Sequence, residues 1–87
     1  MRSVICLDIG NERYYLRSTF PANWSLYASD AYAGCLNEQE AREFLNSRFT
    51  KISESLGDDM NYIRSIRILT YEKEQLISDN YYLSREE

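Results

Sequence analysis

The clearest pattern of apolar and polar positions lies in the middle of the chain and predicts one long helix. Apolar side chains recur there at steps of three and four, which places them on one helical stripe; they are Ala41, Phe44, Leu45, Phe49, Ile52 and Leu56. Asn37 is a favourable N-cap, Glu40 completes an approximate capping box, and Gly57 is placed to end the helix. The pattern predicts a helix over residues 38–56. Leu36, just before the cap, is expected to pack as a hydrophobic staple.

Shorter apolar runs on both sides of this helix predict strands. Residues 3–9 are rich in β-branched side chains, and the Gly-Asn pair after them is typical of a tight hairpin turn into a second strand over about 12–18. We expect a third, short strand at about 30–36, a loop at 58–61, and a last long strand at 62–71.

Trp24, the only tryptophan, follows the only proline of the chain. A large ring at this break is expected to close the open end between the sheet and the helix. Small residues after it are expected to form a strand lying close under the helix; they are Ala31, Ala33, Gly34 and Cys35.

Together these elements predict an α+β fold, in which a three- to four-stranded, mostly antiparallel sheet carries one amphipathic helix on one face. The compact domain is expected to cover residues 1–71. Residues 72–87 form a C-terminal extension, either docked on the domain or partly mobile. Residues 72–77 could form a helical turn, and residues 79–83 could form a short edge strand or a docked tail. The sequence does not decide between these alternatives.

Length and composition narrow the class of protein. The chain has 87 residues, of which 44% are hydrophobic, and no apolar run is long enough to cross a membrane. The apolar stretch at the N-terminus is too short for a signal peptide and contains Asp8, so a cytoplasmic location is expected. Cys6 and Cys35 both lie among apolar neighbours and are expected to be buried free thiols.

Catalytic chemistry finds no support in the sequence. The chain has no histidine, and it contains no nucleophile-elbow, Walker or dinucleotide-binding motif. Acidic pairs such as Asp58-Asp59 could in principle bind Mg²⁺, but solvated loop charge is the commoner role of such pairs. We therefore expect a protein that is not an enzyme and that needs no cofactor and no metal.

Candidate binding residues come from the tyrosine and charge patterns. Eight tyrosines is a high content, and tyrosine is common at protein interfaces because it combines a large area with a polar tip. Tyr15 lies between Arg13 and Arg17 on the face of the second strand that should meet solvent. The other candidates are the acidic helix end and the tyrosine pair of the extension; they are Glu54, Asp58, Asp59, Tyr81 and Tyr82.

Nucleic acid is not the expected partner. An Arg-Tyr-Arg face could stack RNA bases on Tyr15, but the net charge of −4 and the absence of lysine from the first 50 residues argue against it. Alternatively, the acidic helix end could imitate phosphates and occupy a basic groove on a protein partner. Arg42, Arg48 and Lys51 dilute that acidic line.

The order of features resembles a loose class of small proteins encoded by phages and other bacterial mobile elements. The resemblance lies in a hairpin, a tryptophan, the pattern Ala33-x-x-Leu36-Asn37-x-x-Glu40-Ala41-x-x-Phe44-Leu45, and a returning strand, over about residues 3–70. This chain departs from the pattern at Leu36, where Phe is commoner, and in its extension after Tyr71. The resemblance implies the fold given above, and some such small acidic proteins are anti-CRISPR inhibitors of host defence.

The sequence thus favours a non-catalytic protein-binding protein of phage or mobile-element origin. In its most concrete form it would inhibit a bacterial defence nuclease, such as a CRISPR effector, in the host cytoplasm. The alternative is a self-associating structural or regulatory protein that forms a homodimer through exposed sheet edges.

Overall fold

One sheet of five antiparallel strands carries one long helix, which confirms the predicted α+β class. The computed structural model describes residues 1–19, 22–27, 29, 31–32 and 34–85. Its elements are β1 (Arg2–Ile9), β2 (Glu12–Thr19), β3 (Ala22–Ser25), α1 (Glu38–Leu56), a 3-10 helix (Gly57–Tyr62), β4 (Ile63–Glu72) and β5 (Gln75–Ser84). The strand order is β3-β2-β1-β4-β5. None of the helices in the described part of the chain is long and apolar enough to cross a membrane.

The helix α1 has the bounds that its capping residues predict. Asn37 Oδ1 accepts a hydrogen bond from the Glu40 amide at 2.9 Å. The Glu40 carboxylate accepts from the Leu36 amide at 2.6 Å, one residue earlier than in a standard capping box. The expected staple is wrong, because Leu36 is 61% exposed. The neighbouring Cys35 is the residue that turns into the core, so Leu36 faces solvent.

The main core lies between α1 and the inner face of the sheet. Alternate residues of β1 and β4 point to this face, as the period of two requires. The buried members of this core are Ile5, Leu7, Leu16, Cys35, Ala41, Leu45, Ile52, Leu56, Ile63, Ile66 and Ile68. The helix α1 covers this inner face, and the opposite face of the sheet is the outer face.

A second, smaller cluster lies on the outer face. Val4, Cys6 and Leu69 are buried there, with Ala31 against them and the half-buried rings of Tyr15 and Tyr71 at the margin. Ala31 therefore does not lie under the helix, and that expectation was wrong.

The segment before α1 explains the position of Ala31. The pairing of β2 with β1 ends at Cys6, so the N-terminal part of β1 has no partner in β2. Residues shortly before α1 take this place beside the two strands. The Tyr32 amide donates to the Leu16 carbonyl at 2.7 Å, and the Ser3 amide donates to the Cys35 carbonyl at 2.9 Å. The predicted strand at 30–36 is reduced to the single Ser3–Cys35 bridge, and Asp30 and Ala33 lie outside the described residues. The strand that contains Trp24 is β3 instead.

The C-terminal extension forms β5, a full edge strand of ten residues that pairs with β4. This decides between the open alternatives: there is no helical turn at 72–77, and the edge strand is longer than expected. The hairpin turn places Lys73 and Glu74 at φ values of 50° and 68°. Those values match a type I′ turn, for which Asn-Gly rather than Lys-Glu is the usual pair. Cross-strand pairing therefore outweighs the local preference of the turn.

Both cysteines are free and buried, as expected from their apolar neighbours. Burial raises the pKa of the Cys6 thiol to about 12 and also raises the pKa of Cys35.

We predict that both thiols react slowly with a disulfide reagent at pH 8 and rapidly in denaturant. An unfolded thiol ionises near pH 9.0, so the contribution of Cys6 to stability is complete below that pH and falls as pH rises towards 12. Rapid modification of the folded chain at pH 8 would contradict this burial.

Candidate binding surface

A line of alternating charges crosses the outer face of the sheet and gives that face its polar character. Arg13 Nε lies 3.1 Å from Asp8 Oδ1, and Arg67 Nε lies 3.1 Å from Asp8 Oδ2. Arg67 Nη1 then reaches Asp79 Oδ2 at 2.9 Å. We call Arg13, Asp8, Arg67 and Asp79 the charge ladder. Its members come from β2, β1, β4 and β5 in turn, because the antiparallel register brings their outward positions side by side.

The centre of the charge ladder is sheltered from water. The Asp8 side chain is 19% exposed and the Arg67 side chain is 14% exposed. Ser65, which is buried, donates its hydroxyl to Asp8 Oδ2 at 2.7 Å. A partly buried carboxylate held by two guanidinium groups and a hydroxyl has its charge satisfied from several sides. The best-held part of the ladder is therefore its centre at Asp8 and Arg67, whereas the Arg13 side chain at its end is 44% exposed.

A polar cleft of about 200 Å³ opens beside the charge ladder. Its lining consists of Asp8, Arg13, Arg64, Ser65, Arg67 and Tyr81. The lining contains three arginines and one aspartate, and Asp79 outside the lining also pairs with Arg67. The cleft is thus rich in arginine, although the chain has a net charge of −4.

Aromatic rings lie on the same outer face, and one of them, Tyr81, lines the cleft. The ring of Tyr81 lies 5.9 Å from the guanidinium carbon of Arg67, and Tyr71 receives Arg2 in the same way at 5.6 Å. Tyr81 is half exposed, whereas Tyr15 is half-buried over the outer cluster. Burial raises the pKa of the Tyr71 hydroxyl above its ordinary value. The outer face therefore combines arginine and tyrosine, the pair of residue types that is enriched at interface hot spots.

The structure brings together three of the predicted site residues and separates the others. Arg13, Tyr15 and Tyr81 share the outer face, although they are far apart in sequence. Arg17 is exposed on β2 at a shift in register and does not line the cleft.

Tyr82 and Tyr81 have different surroundings, although they are neighbours in sequence. The Tyr82 hydroxyl donates to Asn46 Oδ1 at 2.6 Å, and its ring centroid lies 6.2 Å from that of Phe49. A shift in register between β4 and β5 turns Tyr82 and Leu83 together towards α1. The structure thus uses Tyr82 to fasten β5 to the helix, away from the surface that contains Tyr81.

The acidic residues of the helix end are exposed, as a binding role would require. Glu54 lies in the last turn of α1, and Asp58 and Asp59 lie in the 3-10 helix that follows. Neither the charge ladder nor the polar cleft includes any of them. They are therefore a second candidate surface, distinct from the outer face.

A more apolar cleft of about 250 Å³ lies at the end of the helix. Trp24 lines it together with Leu7, Ile9, Tyr14, Ser55, Leu56 and Asp59. This position between sheet and helix is the one expected for the ring. The indole Nε1 of Trp24 is buried and has no hydrogen-bond partner among the described residues. Tyr14 beside it donates to Glu12 at 2.7 Å, and this hydrogen bond raises the pKa of the Tyr14 phenol.

The exposed edge of β5 is interrupted by two shifts in register against β4, each typical of a β-bulge. Arg42 from α1 also donates through Nη2 to the Tyr81 carbonyl at 3.0 Å. Asn80 donates a hydrogen bond to the Glu38 carboxylate. This hydrogen bond lowers the pKa of Glu38, and the hydrogen bond from Arg42 lowers it further by a smaller amount. Bulges and covered backbone groups are devices that protect an edge strand against pairing with another chain.

Sequence reasoning missed the residues that organise the outer face. Asp8, Ser65 and Arg67 all stand in strands that the sequence predicts, β1 and β4. Each occupies an outward position in the period-two pattern, and that alternation is the signal that could have identified them. The contacts between them depend on the register of β1 against β4, which no local pattern in the sequence provides.

Comparison of the chain with family models, with curated proteins and with solved structures found no match. Among the described residues, no group of three or more cysteine, aspartate or glutamate side chains is placed to hold a metal ion.

Proposed function

We propose that this chain is a non-catalytic protein-binding protein whose outer sheet face is the binding surface. The observation that carries the proposal is the charge ladder with its polar cleft and bordering tyrosines, on the one face of the sheet that α1 does not cover. In its most concrete form, the protein inhibits a bacterial defence nuclease such as a CRISPR effector.

The geometry favours binding because the surface is already in position. Asp8 and Asp79 hold Arg67, and Asp8 holds Arg13. A side chain that is ordered before association loses less conformational entropy when a partner binds. Tyrosine adds rigid contact area at a low entropy cost. These properties suit a compact protein that must bind a larger one through a single face.

The inhibitor form of the proposal draws support from the resemblance to phage proteins and from the charge distribution. Glu54, Asp58 and Asp59 give a separate acidic end. An acidic end can be attracted to the basic nucleic-acid groove of a nuclease and speed association. Such a protein would act in the cytoplasm of the bacterial host.

Affinity capture from a bacterial lysate tests the proposal. The bait is the tagged full chain, and captured proteins are identified by mass spectrometry and tested for nuclease interference. The double variant Arg13→Ala/Tyr81→Ala should lose the captured protein. The matched control Lys51→Ala/Tyr62→Ala also removes one positive charge and one exposed tyrosine, and it should retain the captured protein. A lack of interference across several effector types would rule out the inhibitor version of the proposal.

Self-association through sheet edges is the second candidate. Leu76 and Ile77 are exposed on β5, which is a favourable feature for pairing with a second copy. The two bulges and the Arg42 contact oppose it, because they leave only a short regular span of edge. Light scattering at micromolar concentration distinguishes the two candidates, and a monomer would remove this one.

A further inference from the structure

We infer that the apolar cleft at the end of α1, the helix-end cleft, binds an arginine side chain that the protein partner presents. The inference rests on the proposed function in that it requires a protein partner, and it adds a contact outside the outer face. The cleft has a volume of about 250 Å³, whereas pockets for drug-sized ligands begin at roughly 300 Å³. Its size therefore suits one inserted side chain.

The lining of the helix-end cleft combines aliphatic side chains with aromatic rings. Leu7 and Leu56 belong to the buried core, and Ile9 is half-buried against it. The rings of Tyr14 and Trp24 are half-buried members of the same lining. An arginine can place its methylene stem on aliphatic surface and its guanidinium group against an aromatic ring, where it gains a cation–π contact. The lining therefore matches both parts of an arginine side chain.

Two polar groups of the lining have no partner among the described residues. The Asp59 carboxylate makes no hydrogen bond and no ion pair with any of them. The buried indole Nε1 of Trp24 has no acceptor among them either, which is uncommon for a buried donor. An arginine residue carries the complementary groups, because its guanidinium offers paired N–H donors to a carboxylate and its backbone carbonyl is an acceptor.

The charges around the helix-end cleft favour a cation. The Tyr14 hydroxyl donates to Glu12 at 2.7 Å; this bond raises the pKa of the phenol most, and the charge of Asp59 adds to the rise. Two carboxylates therefore act on the same phenol. Arg64 and Arg85 lie towards this end of the molecule, where each donates to a backbone carbonyl, but neither lines the cleft. The charged side chain in the described lining is thus an acidic one, and a basic group complements it.

Arginine fits this cleft better than lysine. The planar guanidinium stacks on aromatic rings and binds a carboxylate through two donors, whereas the lysine ammonium is a compact and strongly hydrated charge. A more weakly hydrated cation loses less when it enters an apolar cleft. Arginine is also a common residue where proteins bind phosphate groups, as in the basic groove that the acidic helix end is proposed to meet.

A titration of the full chain with blocked amino acids tests the inference without any partner. The probes are the N-acetyl N-methylamides of arginine, of lysine and of citrulline, which has the shape of arginine without its charge. Binding is followed by NMR shifts of the ¹⁵N-labelled chain and by the fluorescence of Trp24, the only tryptophan. The arginine probe should give saturable shifts confined to the cleft. It should bind about tenfold more tightly than the citrulline probe, the usual effect of one charge-assisted contact, and more tightly than the lysine probe.

Asp59→Asn should remove this preference, so that the arginine and citrulline probes bind within about twofold of each other. Asp59 is exposed, so the variant is expected to fold. The matched control Asp58→Asn removes the same charge from the neighbouring exposed residue, which does not line the cleft. It should keep a preference for arginine of at least about fivefold, since a solvated charge outside the contact contributes little.

Three results would overturn the inference. These are shifts that never saturate, a lysine or citrulline probe that binds as tightly as the arginine probe, and equal effects of Asp59→Asn and Asp58→Asn. Failure here is separable from failure of the proposed function. A captured protein that is lost with Arg13→Ala/Tyr81→Ala but bound normally by Asp59→Asn would keep the outer face as the binding surface and reject the arginine contact.

Discussion

Leu45→Ala should lower the free energy of unfolding by about 3–5 kcal/mol, the largest effect expected from a single substitution in this chain. Leu45 is fully buried at the centre of α1 and packs into the inner-face core. Removing its isobutyl group loses transfer free energy and leaves a cavity that the surrounding side chains fill only in part. Denaturant unfolding followed by circular dichroism measures the change.

Leu36→Ala is the matched control for this prediction. It is the same chemical change next to the same helix, but the Leu36 side chain is largely exposed, so its effect should stay within about 0.5 kcal/mol. If Leu45→Ala abolishes the folded state, Ile52→Val offers a smaller core deletion with an expected cost of about 1 kcal/mol. Equal costs for Leu45→Ala and Leu36→Ala would contradict the core described above.

Asp8→Asn should lower the free energy of unfolding by about 2–3 kcal/mol. The substitution keeps the shape of the side chain but removes the charge that holds Arg13 and Arg67. Because the Arg67 side chain is mostly buried, it would lose one of its two counter-charges in a poorly hydrated position. Chemical unfolding of the variant and the parent chain gives the difference.

Asp58→Asn provides the comparison for the charge ladder. Asp58 is an exposed residue of the 3-10 helix, so removing its charge should change stability by less than about 0.5 kcal/mol. If Asp8→Asn proved as mild as Asp58→Asn, the ladder would be a set of ordinary surface ion pairs. The outer face would then lack the fixed geometry on which the proposed binding depends.

The helix and the inner strands could be predicted from the sequence because their signals are local. Asn37 and Gly57 mark the ends of α1 directly, and the β-branched apolar run of residues 3–9 forms the buried strand β1. β5 could not be predicted in the same way. Its turn uses Lys73 and Glu74, which give no turn signal, and its pairing with β4 is a tertiary effect.

The candidate site could be predicted only in part, for a similar reason. Tyr15 and Arg13 were identified because an Arg-Tyr-Arg alternation exposes one face of a strand. Their true neighbours, Asp8, Arg67 and Tyr81, come from three other strands and meet only through the register of the sheet. Tyr82 lies on the face opposite to Tyr81, as strand alternation requires, whereas the register shift places Leu83 on the same inner face as Tyr82.

The central claim is that the outer sheet face binds a protein partner. Calorimetric titration of the captured partner against the chain and its two double variants tests this most directly. Arg13→Ala/Tyr81→Ala should weaken binding about 100-fold or more, as two truncated hot-spot residues would. Lys51→Ala/Tyr62→Ala should stay within about threefold of the parent chain, as residues outside the contact would. The claim would be contradicted if Lys51→Ala/Tyr62→Ala weakened binding more than Arg13→Ala/Tyr81→Ala, or if the two variants bound with equal affinity.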